Sequence, residues 1–457
     1  MSKMKLTAEP VPGALSVPVP GIALTALPVQ AANAQNWFRG QLHAHSYWSD
    51  GRGFLEQAVD AYKQRGYDFL SISDHNRFGE DTNFWCEVVA NEGGWPPKIS
   101  QAIFDTYLQA FGSEWVESKT NGENISVRLK TYVEVKAKFE QSGKFILLPG
   151  VEVTQVLNGL HAHLNYINLP VILPCIKDAG LVKTVQEPTT ISELIALNAR
   201  EAEQAANELK KPYVLTLNHP FWFYYDVVPQ NLIDCPEIRF FEVCSGGSDH
   251  APYPQASTYT VEKFWDVVNA FRLIQGHPIL YGTGSDDAHF YDAERIDGIA
   301  GVGEAWIMVR AASLKPEDLI ESMHCGDFYA SNGVLLENVD FTRADNTLRV
   351  KVKADPGVHY RIRFITTKRG FDQTVEEIEI PVENTRPART IPIYSDDIGR
   401  TVKTVEGTEA MYQLEADDLY VRACVESDSP SKITRHFHPT VKQAWTQPYT
   451  TGGIQFS

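Results

Sequence analysis

From residue 54 to residue 285 the chain alternates short apolar runs with longer stretches of helical period. Phe69-Leu70-Ser71-Ile72, Phe145-Ile146-Leu147-Leu148, Tyr213-Val214-Leu215-Thr216-Leu217, Phe240-Phe241-Glu242-Val243 and Ile279-Leu280-Tyr281-Gly282 have the length and continuous apolar character of parallel strands buried on both faces. Between them Phe54 to Gly66, Thr131 to Ser142, Thr190 to Lys210 and Thr260 to Gln275 read as helices, the last two opened by threonine caps and the first two closed near glycine. The result is a βα repeat and an α/β fold. Residues 79–144 are long for a single βα connection and read as an insertion or lid, with plain elaboration of the core as the competing reading.

The period changes near residue 336. Leu348 to Lys353, Tyr360 to Ile365, Val375 to Val382, Arg389 to Tyr394 and Leu419 to Val425 alternate apolar with polar, the mark of antiparallel strands with one wet face. Residues 336–457 are therefore expected to form a small all-β sandwich. At the other end, residues 1–36 carry prolines at 10, 12, 18, 20 and 28. Lys3, Lys5 and the string Ala31-Ala32-Asn33-Ala34 give this stretch a signal-like outline, but proline breaks the helix that a signal core forms. An extended arm and a cytoplasmic location are expected, with export to the periplasm as the alternative.

Composition adds three constraints. At 457 residues with 43% apolar content the chain is long enough for two domains. A net charge of -17 argues against tracking a nucleic-acid polymer, and no stretch approaches the ~20 apolar residues that span a bilayer. The six cysteines lack any metal-ribbon spacing and read as buried thiols.

The chemistry lies in six clusters, most of them at the ends of apolar runs. They are His43-Ala44-His45 with Ser49-Asp50-Gly51; Asp74-His75; Pro149-Gly150-Val151-Glu152; His161-Ala162-His163; Asn218-His219-Pro220; and Asp286-Asp287-Ala288-His289. Neutral imidazole and carboxylate suit zinc, manganese and iron, and ligands two apart on a strand project to one side. Each cluster alone has an ordinary explanation: a lone His219 before proline is a turn residue, Ser49-Asp50-Gly51 a turn, the Asp287/His289 pair a buried hydrogen bond. Their conjunction at strand ends does not.

Residues 37–335 resemble the polymerase and histidinol phosphatase (PHP) superfamily of metal-dependent phosphoesterases. The HxH pair His43/His45, the pair Asp74-His75, the PGxE segment ending at Glu152, the histidines His163 and His219, and the D-x-H pair Asp287/His289 match its motifs in order. The resemblance implies a distorted (β/α)7 barrel, and Ala444 to Tyr449 resembles the end of the β-sandwich appended to some members. It also implies two or three divalent ions. One would take His43, His45, Glu152 and Asp287; a second would share Glu152 and add His163 and His219; a third would use His75, His289 and Asp50. Some members have histidine where Asp50 stands, so Asp50 is the departure. Asp286 and His161 are expected to support Asp287 and His163.

Such ions bring a bridging water near neutrality as a metal-activated hydroxide, so no serine or cysteine nucleophile is needed. The expected electrophile is a phosphate ester of a small organic molecule. Asp74, His161 or a metal-bound water are candidates for protonating the leaving oxygen. Arg52 and Arg77, each just beyond a cluster, are candidate phosphate contacts, weighed against solvated surface arginines. The aromatics Trp48, Phe221 to Tyr225, Phe290 and Tyr291 suit either a substrate rim or packing. A metal-dependent hydrolase of an amide or lactone, and a non-catalytic binding protein, are the alternatives.

Overall fold

The computed structural model describes residues 36–90, 98–170, 188–220, 225–247, 260–291, 301–382, 386–433 and 440–451. The expected arm, the aromatic segment 221–224, Cys175, His436 and His438 lie outside them. The backbone of the fold is one large mixed sheet, to which 13 of the described strands belong. Across it the order is Tyr281–Ser285, Phe240–Ser245, Val214–Leu217, Leu160–Ile167, Ile146–Leu157, Phe69–Ile72, Asn36–Gln41, Trp306–Ala311, Phe328–Ser331, Val441–Thr446, Arg422–Pro430, Tyr360–Thr366 and Arg400–Glu406.

Two parallel blocks make up the first half. Asn36–Gln41, Phe69–Ile72 and Ile146–Leu157 run together, as do Val214–Leu217, Phe240–Ser245 and Tyr281–Ser285. The expected apolar runs form these strands because each is buried on both faces. Helices Leu55–Gln64, Tyr132–Phe139, Ile191–Leu209 and Val261–Ile274 occupy the expected stretches. Thr131, Thr190 and Thr260 cap the last three, each side chain accepting from the backbone three residues on.

Between the parallel blocks lies an antiparallel strand absent from the sequence-based expectation, Leu160–Ile167. Asn158 and Gly159 hold φ of 53° and 82°, the pair of positive values that a two-residue hairpin turn with the strand's own twist demands. The chain therefore doubles straight back, pairing Glu152 with Asn165, Thr154 with His163 and Val156 with His161. Directly opposed residues share a face, so this hairpin sets both histidines on the side of Glu152.

The sheet curls until its first and last parallel strands approach. Ala44 forms an isolated parallel bridge with Ala288, and the His45 N–H donates to the Ala288 carbonyl at 2.8 Å. One bridge is not a ladder, and among the described residues no continuous seam closes the sheet. The α/β architecture of the described residues is thus a curled mixed sheet with helices, and the expected closed barrel is not seen among them.

The second half of the sheet is antiparallel and passes without a break across residue 336: Phe328–Ser331 pairs with Val441–Thr446. A three-stranded sheet, Leu336–Thr342, Thr347–Val352 and Glu409–Gln413, shares an apolar layer of Val339, Leu348, Ile362, Phe364, Val425 and Ala444 with it, a sandwich-like arrangement. The hairpin Val375–Ile380 and Arg389–Tyr394 packs instead toward helix Val261–Ile274, with Tyr394 and Phe271 edge to face at 5.4 Å. Within residues 79–144 a four-stranded sheet and helix Gln101–Phe111 pack on Tyr47, Trp48 and Phe54. Tyr107 and Trp115 donate to the buried Glu56, which anchors the insertion to helix Leu55–Gln64.

Candidate metal centre

The donor atoms converge at the carboxyl ends of the parallel strands. His43 and His45 follow Asn36–Gln41, His75 follows Phe69–Ile72, His219 follows Val214–Leu217, and Asp287 with His289 follows Tyr281–Ser285. Glu152 and His163 come from the hairpin. His219 and Asp287 hold φ of 22° and 50°, a left-handed backbone that side-chain-bearing residues adopt only under constraint. At these two positions the chain turns sharply to aim a donor inward.

His43 Nε2 and His45 Nε2 each stand close to both Glu152 Oε2 and Asp287 Oδ1. The two imidazole nitrogens are 3.1 Å apart; Asp287 Oδ1 is 3.1 Å from the first and 3.0 Å from the second; Glu152 Oε2 is 3.3 Å from each. Two donors each about 2.1 Å from a single cation stand roughly 3.0 Å apart at a right angle and roughly 3.4 Å at the tetrahedral angle. The observed separations fall in that interval.

Electrostatics makes the same point. His43 Nδ1 is 2.7 Å from Glu242 Oε1, so its proton belongs there and Nε2 presents a lone pair to two carboxylate oxygens. Lone pairs facing one another at 3 Å need a positive charge between them. Glu152 Oε2, fully buried, has no hydrogen-bond partner among the described residues although His43, His45 and His75 nitrogens lie within 3.3 Å. The donor set fits a divalent cation.

The other Glu152 oxygen faces away. Oε1 is 3.2 Å from His163 Nδ1 and 3.4 Å from His219 Nε2, and it accepts from Asn218 Nδ2 at 2.8 Å. One carboxylate therefore addresses two donor groups. A further group gathers Asp50 Oδ1 3.5 Å from His75 Nε2 and 3.4 Å from His289 Nε2, with His45 Nδ1 at 3.7 Å. Four sets have donor atoms close enough together to hold a metal ion, namely His45, Asp50, His75 and His289; His43, His45 and Glu152; His43, His219 and Asp287; and Glu152, His163 and His219, and together they cover all nine expected ligands. Unlike the rest, Asp50 is 58% exposed on its side chain.

Without a cation, protons do its work. Burial opposes charge on His43, but Asp287, Glu152 and Glu242 outweigh it and hold the imidazole well above its ordinary value. His75 is raised against burial by Glu152 and Asp50. Burial, aided by the charges of His289 and His75, lowers His45 to about 4; burial lowers His163 to about 4 despite Glu152. Against the cost of burial, the carboxyls of Glu152 and Asp287 are held well below their usual range by the histidines around them.

The remaining expected residues are placed unequally. The Asp74 carboxylate accepts from the Ser46 N–H at 2.7 Å and from the Ser46 and Ser49 hydroxyls at 2.6 Å each; burial nevertheless raises its pKa. It holds the loop after the HxH pair and does not join the donor atoms. His161 lines a cleft with His163, Asn218, His219, Pro220, Asp226 and Val227. Arg52 is exposed, its N–H donating to the His289 carbonyl at 2.7 Å, and Arg77 lies 5.3 Å from the Phe84 ring. Asp286 accepts from the Tyr62 hydroxyl and from the N–H groups of Gly303, Glu304 and Ala305, a support for the loop below Asp287. Of the aromatics, Trp48 is buried and donates to the Lys130 carbonyl at 3.0 Å, and Tyr291 is buried with its hydroxyl on the His45 carbonyl; both pack.

Glu242 is a functional residue that the sequence reading passed over. It orients His43 through Nδ1, accepts from the His219 N–H at 2.8 Å and receives the Ser285 hydroxyl. Its signal was present: a carboxylate within the fully buried strand Phe240–Ser245. A buried acid needs a partner of its own.

No protein-family model matches the chain, and no curated protein matches it in sequence. Among solved structures it is similar to a two-domain protein containing a predicted PHP-like metal-dependent phosphoesterase from Bacteroides vulgatus, at 14% identity and a TM-score of 0.35, over 91% of this chain and 95% of that one. It is also similar to a predicted metal-dependent phosphoesterase from Bifidobacterium adolescentis, at 11% identity and TM-score 0.29, over 57% and 91%. A third is an amidohydrolase from Chromobacterium violaceum with bound sulfate, at 13% and 0.26, over 55% and 87%. The functional reading rests on the donor geometry.

Proposed function

We propose that the chain is a metal-dependent hydrolase of PHP type that cleaves a phosphate ester of a small organic molecule. The observation that carries this is the set of donor separations of 3.0 to 3.3 Å around His43, His45, Glu152 and Asp287, with the second oxygen of Glu152 turned to His163 and His219. Two or three divalent ions, of manganese, zinc or iron, suit these nitrogen and oxygen donors. When bound, such ions bring a water's pKa toward neutrality and polarise a phosphoryl oxygen. His43, His45, Glu152 and Asp287 would hold the first, Glu152, His163 and His219 the second, and Asp50, His75 and His289 the third, most exposed one.

Around them the chain supplies orientation. Glu242 fixes the His43 tautomer, Asn218 fixes the Glu152 carboxylate, and Asp74 ties down the loop that carries Asp50. His161, on the cleft wall, is better placed than Asp74 to give a proton to the leaving oxygen. A barrel of (β/α)7 type with an appended β-sandwich is the architecture this reading carries with it. No helix among the described residues is long and apolar enough to cross a membrane.

The test is elemental analysis of the purified protein, followed by a substrate panel with manganese, zinc and iron. Expected outcomes are bound metal and phosphate release from at least one ester. His43→Ala and Glu152→Ala should lose both metal and activity. His359→Ala, 87% exposed and paired only with Asp428 in the C-terminal β region, should change neither. Turnover of amides or lactones with no phosphate release from any ester would replace the phosphoesterase reading, and activity surviving both site substitutions would refute the ligand map.

A further inference from the structure

One buried ion pair reaches from the C-terminal β region to the cleft beside the donor cluster. Arg386, between the strands Val375–Ile380 and Arg389–Tyr394, donates through Nε to both Asp226 oxygens at 3.2 Å and through Nη2 to Oδ2 at 2.9 Å. The partners are 160 residues apart, and their side chains are 7% and 6% exposed. Asp226 lines the cleft with His161, His163 and His219. Their charges are felt at His161, where burial first and then the Arg386 guanidinium lower the pKa while Asp226 opposes them.

Arg272 and Arg422 are also buried, and both serve the frame. Arg272 donates to the carbonyls of Leu232, Cys235 and Ile238, and Arg422 pairs with Glu262 and Asp266 behind helix Val261–Ile274. Arg386 differs because its carboxylate faces the cleft. An ionised acid at that wall, left alone, would repel an anionic substrate approaching the His163/His219 end. A guanidinium held on it in this fork cancels the charge and fixes the carboxylate's orientation.

We propose that Arg386 is a positioning residue for substrate: by neutralising Asp226 it makes the His163/His219 end of the cleft accept an anionic group, so the C-terminal β region completes the substrate site. The inference rests on the phosphoesterase reading, which supplies the anion.

Its test is calorimetric titration of inorganic phosphate into the metal-loaded protein, with metal content and thermal midpoint measured for each variant. Arg386→Met, which bares Asp226, should weaken phosphate binding about tenfold or more while bound metal is retained. Arg386→Met with Asp226→Asn, which removes both charges, should return affinity to near the wild-type value. Should the single Met variant fail to fold, Asp226→Asn alone decides the matter, and it should bind phosphate no more weakly than wild type. Unchanged affinity in Arg386→Met, a double variant as weak as the single one, or weakened binding in Asp226→Asn overturns the inference while leaving the phosphoesterase reading intact. A wild-type protein that retains metal yet binds no phosphate overturns both.

Discussion

At the scale of single residues, the centre is a problem in matching lone pairs to positive charge. Glu242 shows how: by accepting a hydrogen bond from His43 Nδ1 at 2.7 Å it commits Nε2 to the donor cluster. Glu242→Gln keeps the shape and loses the charge, and should cost about 10- to 100-fold in metal affinity, read by competition with a chromophoric chelator. The pH response of metal-free protein follows from the same histidines. His43, His75, His219 and His289 are all raised in the folded state, so the stability they contribute is complete below their unfolded value of about 6.5 and is lost as pH rises toward their folded values. His45 and His163, at about 4, are neutral in both states above that point and contribute no slope. The thermal midpoint of chelator-treated protein should therefore fall as pH rises above about 6.5, whereas metal-loaded protein should not follow it. A metal-free midpoint that climbs above that pH would contradict the assignment. The nine candidate donors were legible because ligand-type residues stood at the ends of apolar runs. Glu242 was not, because inside such a run a single acid looks like part of a strand. Asp74, the candidate proton donor beside His75, turns its carboxylate to Ser46 and Ser49, which its place in the sequence does not show.

Among elements, the hairpin of Ile146–Leu157 and Leu160–Ile167 matters most, because it places Glu152 and His163 on one face. Its turn, Asn158-Gly159, is a strong two-residue hairpin signal, and expecting uninterrupted βα units hid it. The helices were more legible, since each threonine cap lies one residue before its helix. Helix Val261–Ile274 bears a second role that periodicity cannot show. Asp266 on it receives Arg422 Nη2 at 2.6 Å and the Tyr420 hydroxyl at 2.7 Å, pinning the C-terminal strands to the α/β unit. Arg422 is 1% exposed, so Arg422→Ala strands Asp266 and should cost about 3 kcal/mol or more in a urea unfolding curve. A loss under ~1 kcal/mol would mean that Tyr420 alone satisfies that carboxylate.

For the whole molecule, pairing turns antiparallel before the change of pattern near residue 336, already at Trp306–Ala311 and Phe328–Ser331, and the sheet does not stop there. Period two tells which face is wet; it does not tell which strand is the neighbour, and the partner of Phe328–Ser331 comes from Val441–Thr446. Trp445, 1% exposed, packs in the same core as Trp265 and Phe241 of the α/β unit. A chain ending at 335 should accordingly be insoluble or lack a cooperative melt, because it bares a strand edge and part of its core. A soluble, cooperatively melting fragment of that length would show that the shared sheet is dispensable.

That pairing also sets a clock. Ser331 and Gln443 are 112 residues apart, and at cellular synthesis rates that separation is roughly ten seconds of translation. Throughout that interval Phe328–Ser331 has left the ribosome with no partner for one edge. An unpaired edge during synthesis is thus built into the order of the strands, and slowing translation after residue 331 should lower the yield of native protein more than slowing it before residue 300.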